Sequence, residues 1–367
     1  MTEDLKRNVY CILGLPIDVI EMPAVVQQID NAAHSRNALF ISTPNLDFLV
    51  QSRFDRAFRE ALLDSDLSPV DGMPVLMIAR LIGVPIKLRV SGADIFEALK
   101  AREHFGRRLG VFLFGGSDAA STAACKRLNE NPSGLKCVGA LNPGFGDVAA
   151  LSRDALIDAV NSSNADFLLV ALGAKKGQPW LHSNHKRLSV PVRAHLGAAI
   201  NFQAGTIKRA PPGFRALGME WLWRIKEEPH LWRRYGQGGC VLAFLLLTRV
   251  LPLVVLNGWN RYRSKRQPRP LWLESAAQHD FVTIRLYGDA IEQFASKASA
   301  RLEETLTAPC KNVVIDLSAV RAIDARFFGL LLMLRKRLKS QGCGLQFVGA
   351  SLAIKRLFRL NEVQFLL

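Results

Sequence analysis

Short apolar runs alternate with amphipathic segments from residue 9 to about 205. VYCILGL (9–15) and ALFIST (38–43) read as strands. LGVFLFGG (109–116) is a buried strand ending in a glycine turn, ADFLLVALG (165–173) repeats that form, and VRAHLGAAINF (192–202) is a further strand entering a turn. Between them FDRAFREALLDSD and DAASTAACKRLNEN carry helical spacing. Strands alternating with helices predict an α/β fold: a Rossmann-like parallel sheet with helices on both faces. Ligands in such sheets bind outside the carboxyl ends of the strands, where the glycines of this chain gather.

The pattern changes after Gly205. Basic and aromatic residues interleave through GMEWLWRIKEEPHLWRRY (218–235), and CVLAFLLLTRVLPLVVL (240–256) follows. That run is apolar but broken by Arg249 and Pro252. A spanning helix needs about 20 apolar residues without a central charge, so an in-plane or partly inserted segment is expected. RYRSKRQPRP (261–270) reads as a basic linker. From 271 to 367 a small α/β unit restarts: FVTIRLYG, NVVIDLS and GLQFVGA as strands, FFGLLLMLRKRLKSQG as an amphipathic helix, and SLAIKRLFRLN as a second helix. The expected domains are thus 1–205, a membrane-associating appendage at 206–260, a linker at 261–270, and 271–367.

Of 367 residues 49% are hydrophobic, enough for two or three cored domains. The net charge of +16 asks for an anionic partner: nucleic acid, membrane headgroups or a phosphorylated ligand, against the plain alternative of a solvated basic surface. No nucleic-acid motif appears, and the basic residues cluster beside an apolar segment, so no nucleic-acid partner is expected. The six cysteines form no CxxC pair and read as reduced thiols of a cytosolic protein.

Several stretches are candidates for chemistry. TPN (43–45), VDGMPV with Asp71, and LRVSGADIF with Arg89 are, taken singly, more often a turn or cap, a turn, and a surface charge than a site. FGGSDAA places Gly115 and Gly116 between a strand and a helix start, an arrangement that suits an anion. LGAKKGQPW offers two lysines in a glycine-bounded loop, and HLGAAINFQAGTIKRAPP a glycine turn followed by Lys208 and Arg209. GxSxG, HExxH and DxD are all missing, which argues against a serine hydrolase, a zinc protease and a DxD-dependent transferase.

In order, TPN, DG, RVSGAD, VFLFGG, NPGFG, ADFLLVALGAKK, HLGAAINFQAGTIKRAP and GMEWLWRIKEEPHLWRRY resemble the WecG/TagA/CpsF family of bacterial glycosyltransferases over residues 9 to 236. The resemblance implies an inverting, membrane-associated enzyme. It would move a sugar from a UDP-sugar to a polyprenyl-diphosphate-linked glycan acceptor in exopolysaccharide- or capsule-type synthesis, at the cytoplasmic face of the membrane. It implies Asp71 as base with Thr43 and Asn45 beside it. Substrate contacts would come from Arg89, Gly115, Gly116, Lys176, Gln178, Gly197, Asn201, Arg209, Arg224, Arg233 and Arg234. No metal or cofactor is expected, because arginines take the place of a DxD-bound ion at the leaving diphosphate. Trp221, Trp223 and Trp232, interleaved with arginine, suit a lipid headgroup interface.

Two departures from the family pattern stand out. Where the family reads GxPKQE this chain has GAKKGQ, so Lys175, Gly177 and Gln178 replace Pro, Gln and Glu, and Asn201 replaces an Asp. They point away from N-acetylmannosamine and toward a neutral hexose such as glucose. They also leave open a second reading, a catalytically degenerate scaffold. NVVIDLSAVRAIDARFFGLLLMLRKRLKSQGCGLQFVGAS resembles a STAS domain. Ala325 and Arg326 stand at its phosphorylatable serine positions, which implies docking, self-association or a structural role rather than a phosphoswitch.

Overall fold

The computed structural model of the protein describes residues 4–102, 107–130, 134–197, 199–216, 218–277, 281–306 and 311–367. Its strands are β1 (Val9–Ile12), β2 (Leu15–Asp18), β3 (Leu39–Ile41), β4 (Leu109–Gly115), β5 (Leu135–Leu141), β6 (Phe167–Ala171), β7 (Val192–His195), β8 (Trp272–Ala277), β9 (Phe281–Ala290), β10 (Asn312–Ile323) and β11 (Leu345–Val348). They form two compact units that are not serial in sequence. One comprises Ile20–Met73 with Leu88–Cys240, the other Met1–Val19, Pro74–Lys87 and Val241–Leu367.

The first unit holds a five-stranded parallel sheet in the order β3-β7-β6-β4-β5. Its central strands are apolar without alternation because both faces are covered. Val111, Leu113, Phe167 and Leu169 enter one core, while Phe112, Phe114, Leu168 and Val170 enter the other with the fully buried Trp180. Adjacent residues of one strand thus serve opposite layers, as a period of two requires. A short segment after the helix Arg56–Leu63 extends the sheet: Leu67 bridges Ile41 in parallel, and Ser42 N–H donates to the Leu67 carbonyl at 2.9 Å.

In the second unit the sheet order is β11-β10-β9-β8, with β8 antiparallel to β9 and the rest parallel. The helix Ala325–Ser340 is buried along most of its length. It was expected to be amphipathic. Its second side is covered by the chain's first residues: β1 passes so close that a Cβ on Gly329 would lie on the Val9 carbonyl. Arg326 donates to the Val9 and Arg7 carbonyls, and Lys336 pairs with Asp4 at 3.0 Å.

Four expectations are corrected. VYCILGL is no strand of the large sheet; β1 and β2 form an antiparallel hairpin in the second unit. LGAKKGQPW is not a loop, since Gly173, at φ 77°, ends the strand and the helix Ala174–Asn184 begins at once. The basic stretch from 261 is helical to Arg266 and only then irregular. It ends one continuous helix, Trp232–Arg266, long and apolar enough to cross a membrane by length and composition. A π turn at Leu246–Val250 precedes Pro252 and absorbs the hydrogen bond that proline cannot donate. The reduced-thiol reading also fails: Cys125 and Cys137 are disulfide-bonded, their Cα atoms 5.0 Å apart, because the helix Asp118–Glu130 packs over β5, and Cys343 is disulfide-bonded as well. Cys11 and Cys240 are free, and Cys310 lies outside the described residues.

Candidate active site

Three turns meet beyond the carboxyl end of β3. The segment leaving Leu67 runs beside that strand, so Asp71 arrives level with the Thr43–Asn45 turn and its N–H donates to the Pro44 carbonyl at 2.9 Å. Gly72, at φ 85°, turns the chain away immediately. The next segment is drawn in by Val90 N–H donating to the Val70 carbonyl at 2.8 Å. Ser91 then caps the helix Gly92–Ala101. The Gly92 N–H donates to the Asp71 carboxylate. Packing is tight at Gly92, where a Cβ would sit 2.5 Å from the end of the Leu196 side chain and 3.4 Å from Thr43 Oγ1. Thr43, Asp71, Gly92 and Leu196 therefore converge.

The charges around Asp71 are partly balanced. Burial pushes its carboxyl up to about 7; Glu220 and Asp94 push the same way, while Arg89 and the Gly92 N–H oppose them. Arg89 is itself held by Glu220 at 2.7 Å, and against the effect of burial its acidic neighbours keep it more firmly protonated than usual. Asp94 pairs with Arg209 and lies 3.9 Å from Arg215. Burial raises its carboxyl, but the Ser91 hydroxyl and Arg209 outweigh burial and hold it below the usual range. The Nε atoms of Arg209, Arg215 and Arg224 are buried with no acceptor. Such orphaned guanidinium donors carry a desolvation cost that an anionic ligand would relieve.

The other expected residues fall into separate groups. Asn45 caps the helix Leu46–Phe54, its Oδ1 accepting from Phe48 N–H at 3.2 Å, which leaves its amide nitrogen for other work. Arg234 reaches the same helix start, bonding Asp47 at 2.9 Å. Gly115 and Gly116, at φ 104° and 76°, turn the chain out of β4 beside the end of β6, and a Cβ on Gly115 would lie 2.6 Å from the Ala171 carbonyl. Lys176 reaches the Gly146 carbonyl at 2.7 Å. Gln178 is fully buried and donates to Ser42 Oγ at 2.9 Å, which gives it a place in the core rather than at a surface. Gly197 is exposed and Asn201 half-buried in the short helix Ala199–Ala204. Arg224 pairs with Glu228 at 2.5 Å, and Arg233 lies over the Trp232 ring. Trp221 and Trp232 are exposed, whereas Trp223 is held by Nε1–H donating to the Lys208 carbonyl at 3.0 Å.

Glu220, Asp94, Arg215 and His195 escaped the sequence reading. Glu220 and Asp94 sit within motifs singled out for their neighbours, GMEWLW and RVSGAD. His195 likewise opens the HLGAAINF motif without being singled out in it, and Arg215 carried no signal of its own. Among the described residues no three His, Cys, Asp or Glu side chains gather as a metal site.

Comparison with known proteins accounts for this arrangement. The model of the glycosyl transferase WecG/TagA/CpsF family matches residues 10–253, and that described as Mlab, STAS domain matches 274–366. The chain is 25% identical over 215 residues to an N-acetylglucosaminyldiphosphoundecaprenol N-acetyl-beta-D-mannosaminyltransferase of Bacillus spizizenii, covering 58% of this chain and 81% of that one. The protein of the same name from Staphylococcus aureus is 25% identical over 236 residues, 64% of this chain and 89% of its own. With its parallel sheet, its glycine turns and the acidic residue lodged among arginines, this chain belongs to the WecG/TagA/CpsF family of glycosyl transferases.

Proposed function

We propose that the protein transfers a hexose from a UDP-sugar to a polyprenyl-diphosphate-linked glycan, with inversion, in the assembly of an exopolysaccharide or capsule-type polymer. The observation that carries this is Asp71, whose carboxyl is pushed to about 7 beside Arg89 at the strand-end turn. A base with that pKa is half ionised near neutrality, so it takes the proton of an acceptor hydroxyl without being wholly protonated itself. Inversion follows if the hydroxyl attacks from the face opposite the departing UDP. Arg209, Arg215 and Arg224, with their unpaired Nε donors, suit the diphosphates of donor and acceptor. Thr43 and Asn45 flank the attacking hydroxyl. The names of the relatives, which specify a diphosphoundecaprenol acceptor, support this acceptor class.

We read the long helix as lying on the cytoplasmic face of the membrane rather than crossing it. From Val241 onward one side is committed to its own unit: Leu245, Val250 and Leu253 are buried, Arg249 bonds Glu362 at 2.5 Å, and Ser264 bonds Asp289 at 2.7 Å. A span would break these bonds. The opposite side carries Phe244, Leu247, Leu251, Val255, Trp259 and Tyr262, all exposed and spaced by three or four residues. Such a stripe, ending in Arg263, Lys265 and Arg266, fits the boundary between headgroups and acyl chains. Leu247→Glu with Val255→Glu would then abolish sedimentation with anionic vesicles while leaving the protein folded; undiminished binding would overturn the reading.

The transfer is tested by UDP release from a panel of UDP-sugars with polyprenyl-diphosphate acceptors in lipid. One donor is expected to give acceptor-dependent release that Asp71→Asn abolishes. UDP binding with no release from any donor would instead favour a degenerate scaffold.

A further inference from the structure

His195 ends β7 beside the Asp71 cluster: the next residue, Leu196, is the one that packs against Gly92. The imidazole is 5% exposed, and its Nε2 is buried with no hydrogen-bond partner. Leaving such a group unsatisfied is costly, so it needs a reason. Two glycines shape its surroundings. At Gly177 any Cβ would overlap the ring, coming within 2.8 Å of Nε2 itself, so the imidazole occupies the space that a side chain at 177 would need. At Gly197 a Cβ would stand 3.4 Å from both Nε2 and Cε1. Gly197 is itself exposed, so the buried Nε2 lies one glycine beneath the surface at the carboxyl end of the sheet. Phe48, from the helix that Asn45 caps, packs against the ring at 6.3 Å between centroids and fixes its plane.

We propose that His195 is a donor-sugar contact, its Nε2 forming a hydrogen bond with a hydroxyl of the transferred hexose as the sugar settles over Gly197. This rests on hexose transfer at the Asp71 cluster. A hydroxyl is the fitting partner because it donates and accepts, so it satisfies either tautomer. Phosphate is a poorer one, because burial holds the imidazole neutral, its pKa lowered to about 4. The arginines, not this ring, carry the positive charge. Gly177 makes room for His195, and His195 supplies the polar contact.

The test compares wild type, His195→Ala, His195→Gln and Gly197→Ala in hexose transfer from a UDP-sugar panel, with UDP binding measured by calorimetry. Gly197 is not at positive φ, so alanine there keeps the backbone and the ring and sets a methyl 3.4 Å from Nε2, where an approaching hydroxyl would have to sit. His195→Ala and Gly197→Ala should each lower kcat/KM for the preferred UDP-hexose by about ten- to a hundredfold and narrow its margin over other sugars. UDP affinity should stay within about twofold, and His195→Gln should recover part of the loss. If both variants keep wild-type kcat/KM and donor preference, or if UDP affinity falls in step with transfer, the sugar contact is wrong while the transfer reading stands. No transfer by wild type from any UDP-sugar overturns both.

Discussion

Asp71 and Asp324 both stand at the end of a segment that runs beside a parallel strand, and both are half-buried. Burial pushes the first carboxyl to about 7 and the second to about 6. Their bonding differs. Both oxygens of Asp324 are taken by backbone donors, Phe327 N–H at 2.9 Å and Glu292 N–H at 2.7 Å, so it caps one helix and ties down the start of another. Asp71 receives the Gly92 N–H and otherwise faces Arg89, Glu220 and Asp94. A raised carboxylate whose acceptors are spent on its own backbone is a structural brace. One whose charge is set by side chains it does not bond is available to a ligand. The pKa alone does not separate the two.

The largest effect that would break this comparison is at Asp71. Asp71→Asn should lower turnover by about a hundred- to ten-thousandfold, the usual contribution of a general base. It should also stabilise the fold at pH 8. The carboxyl is raised from 3.8 to about 7 on folding, so the folded state holds a proton that the unfolded chain has lost across that window. Stability therefore falls as pH rises through it, and above 7 the ionised side chain destabilises the fold. The amide removes that penalty, so melting at pH 8 should show a gain of about 1–2 kcal/mol, shrinking toward pH 5. A variant that is inactive and less stable at pH 8 would make Asp71 a brace like Asp324.

Next in size are shifts of the pH profile. Wild-type turnover should rise with pH through about 7 as Asp71 ionises. Arg89→Gln removes the charge that favours the carboxylate, so the rising limb should move to higher pH, with turnover reduced. Glu220→Gln removes a neighbour that disfavours it, so the limb should move to lower pH. Opposite displacements identify the limb with Asp71; a limb indifferent to both belongs to another group.

Asp324→Ala should do the reverse of Asp71→Asn. Two backbone donors lose their acceptor, which outweighs relief of the buried charge, so urea denaturation should show a loss of about 1 kcal/mol. Turnover per folded molecule should not change. A loss of turnover at full stability would assign Asp324 a part in the chemistry.

The sequence made some of this plain and hid the rest. The glycine-terminated runs of β4 and β6 announce a buried parallel sheet because each apolar residue has a core to enter on one face or the other. Asp71, Arg89 and Arg209 are singled out through motif order, although nothing local distinguishes Asp71–Gly72 from an ordinary turn. The ion pairs Arg89–Glu220 and Arg209–Asp94 were not legible, because they join residues more than a hundred positions apart. The same holds for the hairpin β1–β2: its apolar pattern satisfies a sheet strand as well as a cover for Ala325–Ser340, and only the close approach at Gly329 decides. The lysines of GAKKGQ looked like a loop because glycines bound them, yet the amides of Lys176 and Gly177 fold back on the Gly173 carbonyl.

The smallest predicted effect tests the brace from its other side. Ala325 is the first residue of the helix that Asp324 caps, and it is 8% exposed. Beside it Arg326 spends its guanidinium on the Val9 and Arg7 carbonyls and lies over the Tyr10 ring. The helix start is thus built into the hairpin. Ala325→Ser adds one hydroxyl in the first turn of the helix, where serine fits the uncommitted backbone N–H groups, so stability should stay within about 0.5 kcal/mol and turnover should not move. Arg326→Ala removes both carbonyl bonds and should cost more than the serine does. If instead Ala325→Ser alters turnover while the melting temperature holds, this helix start communicates with the chemistry, and Asp324 is no longer only a brace.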